Sequence, residues 1–73
     1  MKKPRRKALS VFAKNLRSKR LANGLSQEKL AELADLHRTY ISDVERGDTN
    51  ISLESMDRIA NVLGCRVREL LEE

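Results

Sequence analysis

The sequence is poor in the residues that usually brace or punctuate a small protein. It has one cysteine, one proline, three glycines, one histidine, one phenylalanine, one tyrosine and no tryptophan. A lone Cys65 excludes an internal disulfide, and with His37 as the single histidine it cannot build a zinc site, so no metal is expected. That inventory suits a reducing cytoplasm. Apolar runs never approach the roughly 20 residues of a membrane span, and no membrane partner is expected. The basic start has no apolar run like that of a signal peptide, because Lys14, Arg17, Lys19 and Arg20 follow soon after it. β-branched residues do not alternate with polar ones over a useful length, which argues against strands. No Ser/His/Asp set or phosphate loop is present, and 73 residues leave little room for a cofactor cavity beside a core. The chain is therefore expected to be a soluble, cytoplasmic non-enzyme without cofactor or small-molecule ligand. Phe12 and Tyr40 are too few aromatics for a base-stacking platform, which disfavours single-strand or RNA binding.

Charge is plentiful and unevenly placed. Residues 1–20 hold nine Lys/Arg and no acid, whereas residues 21–73 hold six against eleven Asp/Glu, so +9 and −5 recover the net +4. Such a split points to a polyanion or a membrane surface. The segment MKKPRRK, residues 1–7, reads equally as a flexible basic arm reaching such a partner or as a solvated tail.

Helical periodicity fills the rest. Leu9, Phe12, Ala13 and Leu16 share one face of a first helix over about 8–23, and Asn23-Gly24 ends it. Ser26 caps a second helix of about 27–34 that buries Leu30, Ala31 and Ala34, with Leu25 stapled onto Leu30. Asp35-Leu36 makes a tight corner. A third helix spans about 38–46, with Ile41 and Val44 inward and Gly47 as its stop. Ser52 caps a fourth helix of about 53–63, whose inner face is Leu53, Met56, Ile59, Ala60 and Leu63. Gly64 ends it, and Val67, Leu70 and Leu71 mark a short fifth. The fold class is all-α, one compact five-helix domain over residues 8–73.

The second and third helices, joined by about three residues, form a helix-turn-helix unit. Ala31 is small where the helices approach, Leu36 plugs the corner, and Ile41 and Val44 point into the core. The stretch QEKLAELADLHRTYISDVERG, with Ser26 before it, resembles the Cro/repressor-like (XRE) family of transcriptional regulators, from about Phe12 to Leu71. HRTYIS and ERG look most like the controller proteins of restriction-modification systems. The resemblance implies a lambda-repressor-like domain that binds double-stranded DNA to regulate transcription. Departures concern helix starts and the corner. Asp35 stands where glycine is common, Ile51 where proline is frequent, and His37 and Arg66 take usual cap positions.

A recognition helix meets base edges mainly with its N-terminal residues. Here Arg38, Thr39, Ser42 and Asp43 face outward from the third helix. Arg38 can grip guanine bidentately, and Thr39 can bond a base edge or pack its methyl on thymine. Ser42 reads as a base contact or as a helix-surface residue. Asp43 would meet a cytosine amino group or orient Thr39, one turn earlier, and the orienting role is preferred. Tyr40 would hold a phosphate or lie along the sugar backbone; His37 would touch a phosphate or merely cap. Gln27 opens the second helix, whose free amides attract a phosphate, and the resemblance implies a DNA contact there. It also makes backbone contacts of Arg46, Thr49, Asn50 and Ser52, which composition alone would assign to an ordinary polar loop. Arg17 is a further phosphate candidate.

Two charges belong to structure instead. Arg20 falls four after Leu16 and Glu45 four after Ile41, each continuing an apolar stripe, so the two should pair in or near the core; the resemblance implies the same pair. Val62, Val67 and Leu71 exceed what one small core needs. They either form a homodimer interface, which lets two domains read a palindromic operator, or close the monomer core. A competing reading is an antitoxin-like module that binds a toxin and autoregulates its operon. Such proteins often carry extra segments for the toxin, whereas here the domain is flanked only by its basic arm.

Overall fold

Apolar spacing this regular leaves each helix one face to bury, and the computed structural model closes those faces on one another. It describes residues 4–73, with side chains from residue 7 onward. Five helices follow in order: α1 (Pro4–Ala22), α2 (Gln27–Ala34), α3 (Arg38–Glu45), α4 (Leu53–Leu63) and α5 (Val67–Leu70). No strand occurs among the described residues. α2 packs on α3 and α4, α1 on α3 and α5, and α4 on α5. Phe12, Leu16, Leu30, Ile41, Ile59 and Leu70, one or two from each helix, are fully buried where these faces meet. Each such side chain stabilises the fold by roughly 1.5–3 kcal/mol, which is what holds the eight-residue α2 and α3 together.

The joints follow from local chemistry. Ser26 accepts the Lys29 amide at 2.9 Å, and Ser52 accepts the Ser55 amide at 3.0 Å, so both serines satisfy orphan donors at a helix start. Gly64 ends α4 in the left-handed region at φ +70°, and the next amide, that of Cys65, then reaches back to the Ala60 carbonyl at 3.0 Å. Asp35 adopts the same conformation after α2, with φ 59° and ψ 47°, which sends the Leu36 amide to the Ala31 carbonyl at 2.8 Å. Aspartate tolerates that region better than most residues, so the corner forms without glycine.

Four boundaries or burials differ from the sequence expectations. α1 begins at Pro4, not near residue 8, because proline suits a first helical turn where its missing N–H costs nothing. Residues 4–7 of the basic segment are thus helical, and residues 1–3 lie outside the described residues. α3 stops at Glu45, with Arg46 as its cap, and α5 stops at Leu70. Leu53 is 75% exposed instead of inward, since Ile51 and Met56 fill the core beside the first turn of α4.

One polar assembly sits inside. The Arg20 Nε donates to Glu45 Oε2 at 2.6 Å and its Nη2 to Glu45 Oε1 at 3.0 Å, with the two side chains only 8% and 3% exposed. Arg20 Nη1 also donates to the Leu25 carbonyl at 2.8 Å, and Gln27 Nε2 donates to Glu45 Oε1 at 3.0 Å. The assembly ties the end of α1, the loop into α2 and the last turn of α3 to one another. No buried side-chain nitrogen or oxygen lacks a partner among the described residues. Replacing either Arg20 or Glu45 alone by alanine is expected to cost about 3–5 kcal/mol in urea unfolding, by leaving a buried charge. The pair Arg20→Met with Glu45→Leu is expected to cost less than either single change. Simple additivity would mean that the two residues act separately.

Candidate nucleic-acid interface

α2 and α3 form a helix-turn-helix through the corner at Asp35, Leu36 and His37. Leu36 is half-buried and packs on the core, as does Tyr40 from the first turn of α3. Ile41 and Val44 anchor the opposite side of α3, both buried. That anchoring leaves one edge outward. Arg38 and Thr39 are exposed on it, with His37 just before them, and none of these three has a side-chain hydrogen bond among the described residues. His37 in particular provides no cap bond to the amides of Thr39 and Tyr40. The outward edge of α3 is therefore open at its N-terminal end.

Its other end is knitted together. Arg46 Nη1 donates to Ser42 Oγ at 2.9 Å, its Nε to Asp48 Oδ2 at 3.0 Å, and its Nη2 to Asp43 Oδ1. Asp43 thus turns to Arg46 and not to Thr39 as the sequence reading preferred. A guanidinium one turn along offers a charge-assisted bond, which a neutral hydroxyl cannot match. The bond to Asp48 is the chief reason the Arg46 pKa lies above its ordinary value; burial opposes it and the Asp43 carboxylate reinforces it.

The remaining candidates flank this edge unevenly. Gln27, at the start of α2, is half-buried and committed to Glu45. Thr49 is half-buried, while Asn50, Ser52 and Arg17 are exposed. Ser52 Oγ already accepts the Ser55 amide, which leaves its hydroxyl hydrogen free to donate. Arg20 is withdrawn into the interior. Asp48 was missed in the sequence; its signal was a carboxylate two residues after an arginine in a helix-ending turn. Asn15 was missed too. From α1 its Nδ2 donates to the carbonyls of Leu70 at 3.0 Å and Glu72 at 2.7 Å, pinning the end of α5. Among the described residues no group of three His, Cys, Asp or Glu could hold a metal ion, and no helix is long and apolar enough to cross a membrane. Burial pushes the Cys65 thiol pKa up, as expected for an apolar filler at a helix end.

The helix-turn-helix family model HTH_3 matches residues 16–70. The chain belongs to the helix-turn-helix family. Its relatives include the control protein C.BamHI of Bacillus amyloliquefaciens, 48% identical over 63 residues that cover 85% of this chain and 78% of that protein. The control protein C.SmaI of Serratia marcescens is 48% identical over 61 residues, covering 84% of this chain and 73% of that one. Among solved structures, the restriction-modification controller protein C.AhdI from Aeromonas hydrophila superposes with a TM-score of 0.82 at 47% identity, over 85% of this chain and 94% of that one. The all-α fold, the XRE-type helix-turn-helix and the regulator class expected from the sequence are thus established, and the family is one of transcription regulators, not enzymes.

In this helix-turn-helix regulator the unfilled cap at His37 makes a direct test of the local geometry. His37→Ser supplies an oxygen to the orphan amides of Thr39 and Tyr40 and is expected to add about 1 kcal/mol of stability. Thermal unfolding, together with slower hydrogen exchange at those two amides, reads it out. An unchanged midpoint would mean that the start of α3 is satisfied in another way.

Proposed function

We propose that the chain is a sequence-specific regulator that reads a palindromic operator in double-stranded DNA as a homodimer, in the manner of a restriction-modification controller. The observation that carries the proposal is the open N-terminal edge of α3, with Arg38 and Thr39 exposed on a helix locked from behind by Ile41, Val44 and the Arg20–Glu45 pair. The control-protein names of the relatives support the controller reading. Arg38 carries an uncommitted guanidinium fork, which suits the two acceptors of a guanine in the major groove. Thr39 reads the adjacent base, and Ser42 and Asp43 complete the edge. Arg17, Gln27, His37, Tyr40, Thr49, Asn50 and Ser52 hold the backbone on either side, fixing register while the base contacts choose sequence. The basic residues of the segment 1–7 add sequence-blind attraction for phosphate. The expected compartment is the cytoplasm.

A single such domain spans few base pairs. Two related by a two-fold axis place their α3 helices in successive major grooves, roughly 34 Å apart. α4 and α5 offer the surface for that pairing. Leu71 is 40% exposed beyond the end of α5, and Val62 and Val67 are half-buried and packed against the core beside it.

Selection from a pool of random duplexes tests the proposal as a whole. A two-fold symmetric consensus is expected, whereas recovery of no consensus would refute sequence reading, and a lone half-site would refute the dimer. With the selected duplex in hand, Arg38→Ala is expected to lose about 1–3 kcal/mol of discrimination at one guanine. An equal loss on every sequence would make Arg38 a phosphate contact instead. Leu71→Lys is expected to weaken self-association measured by sedimentation while leaving the helical signal intact. Unchanged association would move the interface elsewhere.

A further inference from the structure

Arg46, for which the resemblance implies a backbone contact, is an odd cation for a DNA-binding surface, because its side chain is bonded within the chain. All three of its nitrogens are engaged, one each by Ser42, Asp43 and Asp48. Two carboxylates on one guanidinium leave the group with a net charge of −1, next to an edge meant for a polyanion. The other exposed basic side chain of the α3 edge, Arg38, has no such partner among the described residues. A free arginine at position 46 would bind any phosphate that came within reach, and phosphate binding is blind to sequence. Held as it is, it braces Ser42 and Asp43, two of the four outward residues.

We infer that Asp43 and Asp48 are specificity-determining residues that hold Arg46 away from the DNA backbone, converting a sequence-blind cation into a brace for the base-reading edge. The inference rests on the DNA-reading proposal above and adds to it. Asp43 does two things here. Its paired oxygen restrains Arg46, and the shared guanidinium offsets part of its charge beside a groove lined with phosphates. Asp48, from the turn after α3, restrains Arg46 through its Nε at 3.0 Å. Specificity then comes partly from suppressing the wrong complexes. Non-specific DNA would have to compete with two carboxylates for Arg46, while the operator uses Arg46 in place, as the support of Ser42 and Asp43.

The restraint has a salt signature. Each phosphate neutralised by a basic side chain adds about 0.9 to the slope of log K against log salt on duplex DNA. Releasing Arg46 by the double change Asp43→Asn with Asp48→Asn should therefore steepen the slope on a scrambled duplex by about 0.9. It should also tighten that non-specific binding about five-fold near 0.15 M salt, by the same counterion release. Affinity for the selected duplex should rise less or fall, so the ratio of specific to non-specific binding declines. Arg46→Ala should lower affinity for the selected duplex without lowering its salt slope, because the native side chain neutralises no phosphate there.

The decisive experiment titrates the chain, Arg46→Ala, the double asparagine variant and the triple variant against the selected and scrambled duplexes over a range of salt. The gain of the double variant on scrambled DNA is expected to vanish in the Arg46→Ala background. Three results overturn the inference: no gain on scrambled DNA, an equal gain without Arg46, or a slope on the selected duplex that drops by about 0.9 in Arg46→Ala. The second would reduce the effect to removal of negative charge, and the third would make Arg46 a phosphate clamp. If the unaltered chain prefers no duplex over its scramble, the DNA-reading proposal itself fails and this inference with it; in every other negative outcome the DNA-reading proposal survives.

Discussion

A buried bidentate ion pair is the constraint on which the arrangement of this domain depends. Arg20 and Glu45 lie 25 residues apart in sequence, yet their side chains meet through two hydrogen bonds in a nearly dry site. Two charges removed from water are tolerated only when geometry is good and the remaining donors are satisfied. Both conditions hold. The Leu25 carbonyl takes a third N–H from Arg20, and Gln27 supplies a second donor to Glu45. An aliphatic contact at the same place would tolerate sliding, because dispersion has little directional preference. A fork-to-fork pair does not, and it fixes the roll and height of α3 against α1. The outward edge of α3 inherits that register.

Much of this was legible in the residues. Arg20 and Glu45 each continue an apolar stripe, and two opposite charges facing inward have few alternatives to meeting. The 3.6-residue spacing of Leu30, Ala31 and Ala34, and of Ile41 and Val44, likewise gave α2 and α3 their inner faces. Ser26, Ser52 and Gly64 marked ends correctly because cap chemistry is local. What stayed hidden was set by tertiary neighbours. Leu53 fits the α4 stripe by spacing, but the core is already closed by Ile51 and Met56. The start of α1 is invisible to apolar periodicity, since residues 4–7 carry no apolar signal. Asn15 reads as an ordinary polar helix residue until the carbonyls of Leu70 and Glu72 arrive from the far end of the chain.

The candidate interface shows the same division more sharply. Which residues face outward from α3 follows from which face inward, and that much is periodicity. How the outward residues pair is a different matter. Spacing offers Asp43 both Thr39 and Arg46 within a turn, and only the strength of a charge-assisted bond decides between them. Asp48 enters because the chain turns sharply at Gly47, where φ is +74°. Side-chain pairing on an exposed surface is therefore the least legible layer, and it is also the layer that would meet a partner.

These two layers bear on affinity in opposite ways. The basic end of the chain, with no acid among residues 1–20, attracts a polyanion from a distance and regardless of sequence. A regulator with that attraction alone would be spread over every available duplex. The remaining 53 residues carry the acidic excess, and Asp43 and Asp48 place part of it at the C-terminal end of the outward edge of α3, around Arg46. Long-range attraction and short-range discouragement are thereby assigned to different parts of one small domain. On the proposed reading, only a surface whose hydrogen-bonding pattern fits Arg38 and Thr39 would recover in direct contacts what the carboxylates withhold, so that a chain of this size would bind DNA readily and still choose among sequences.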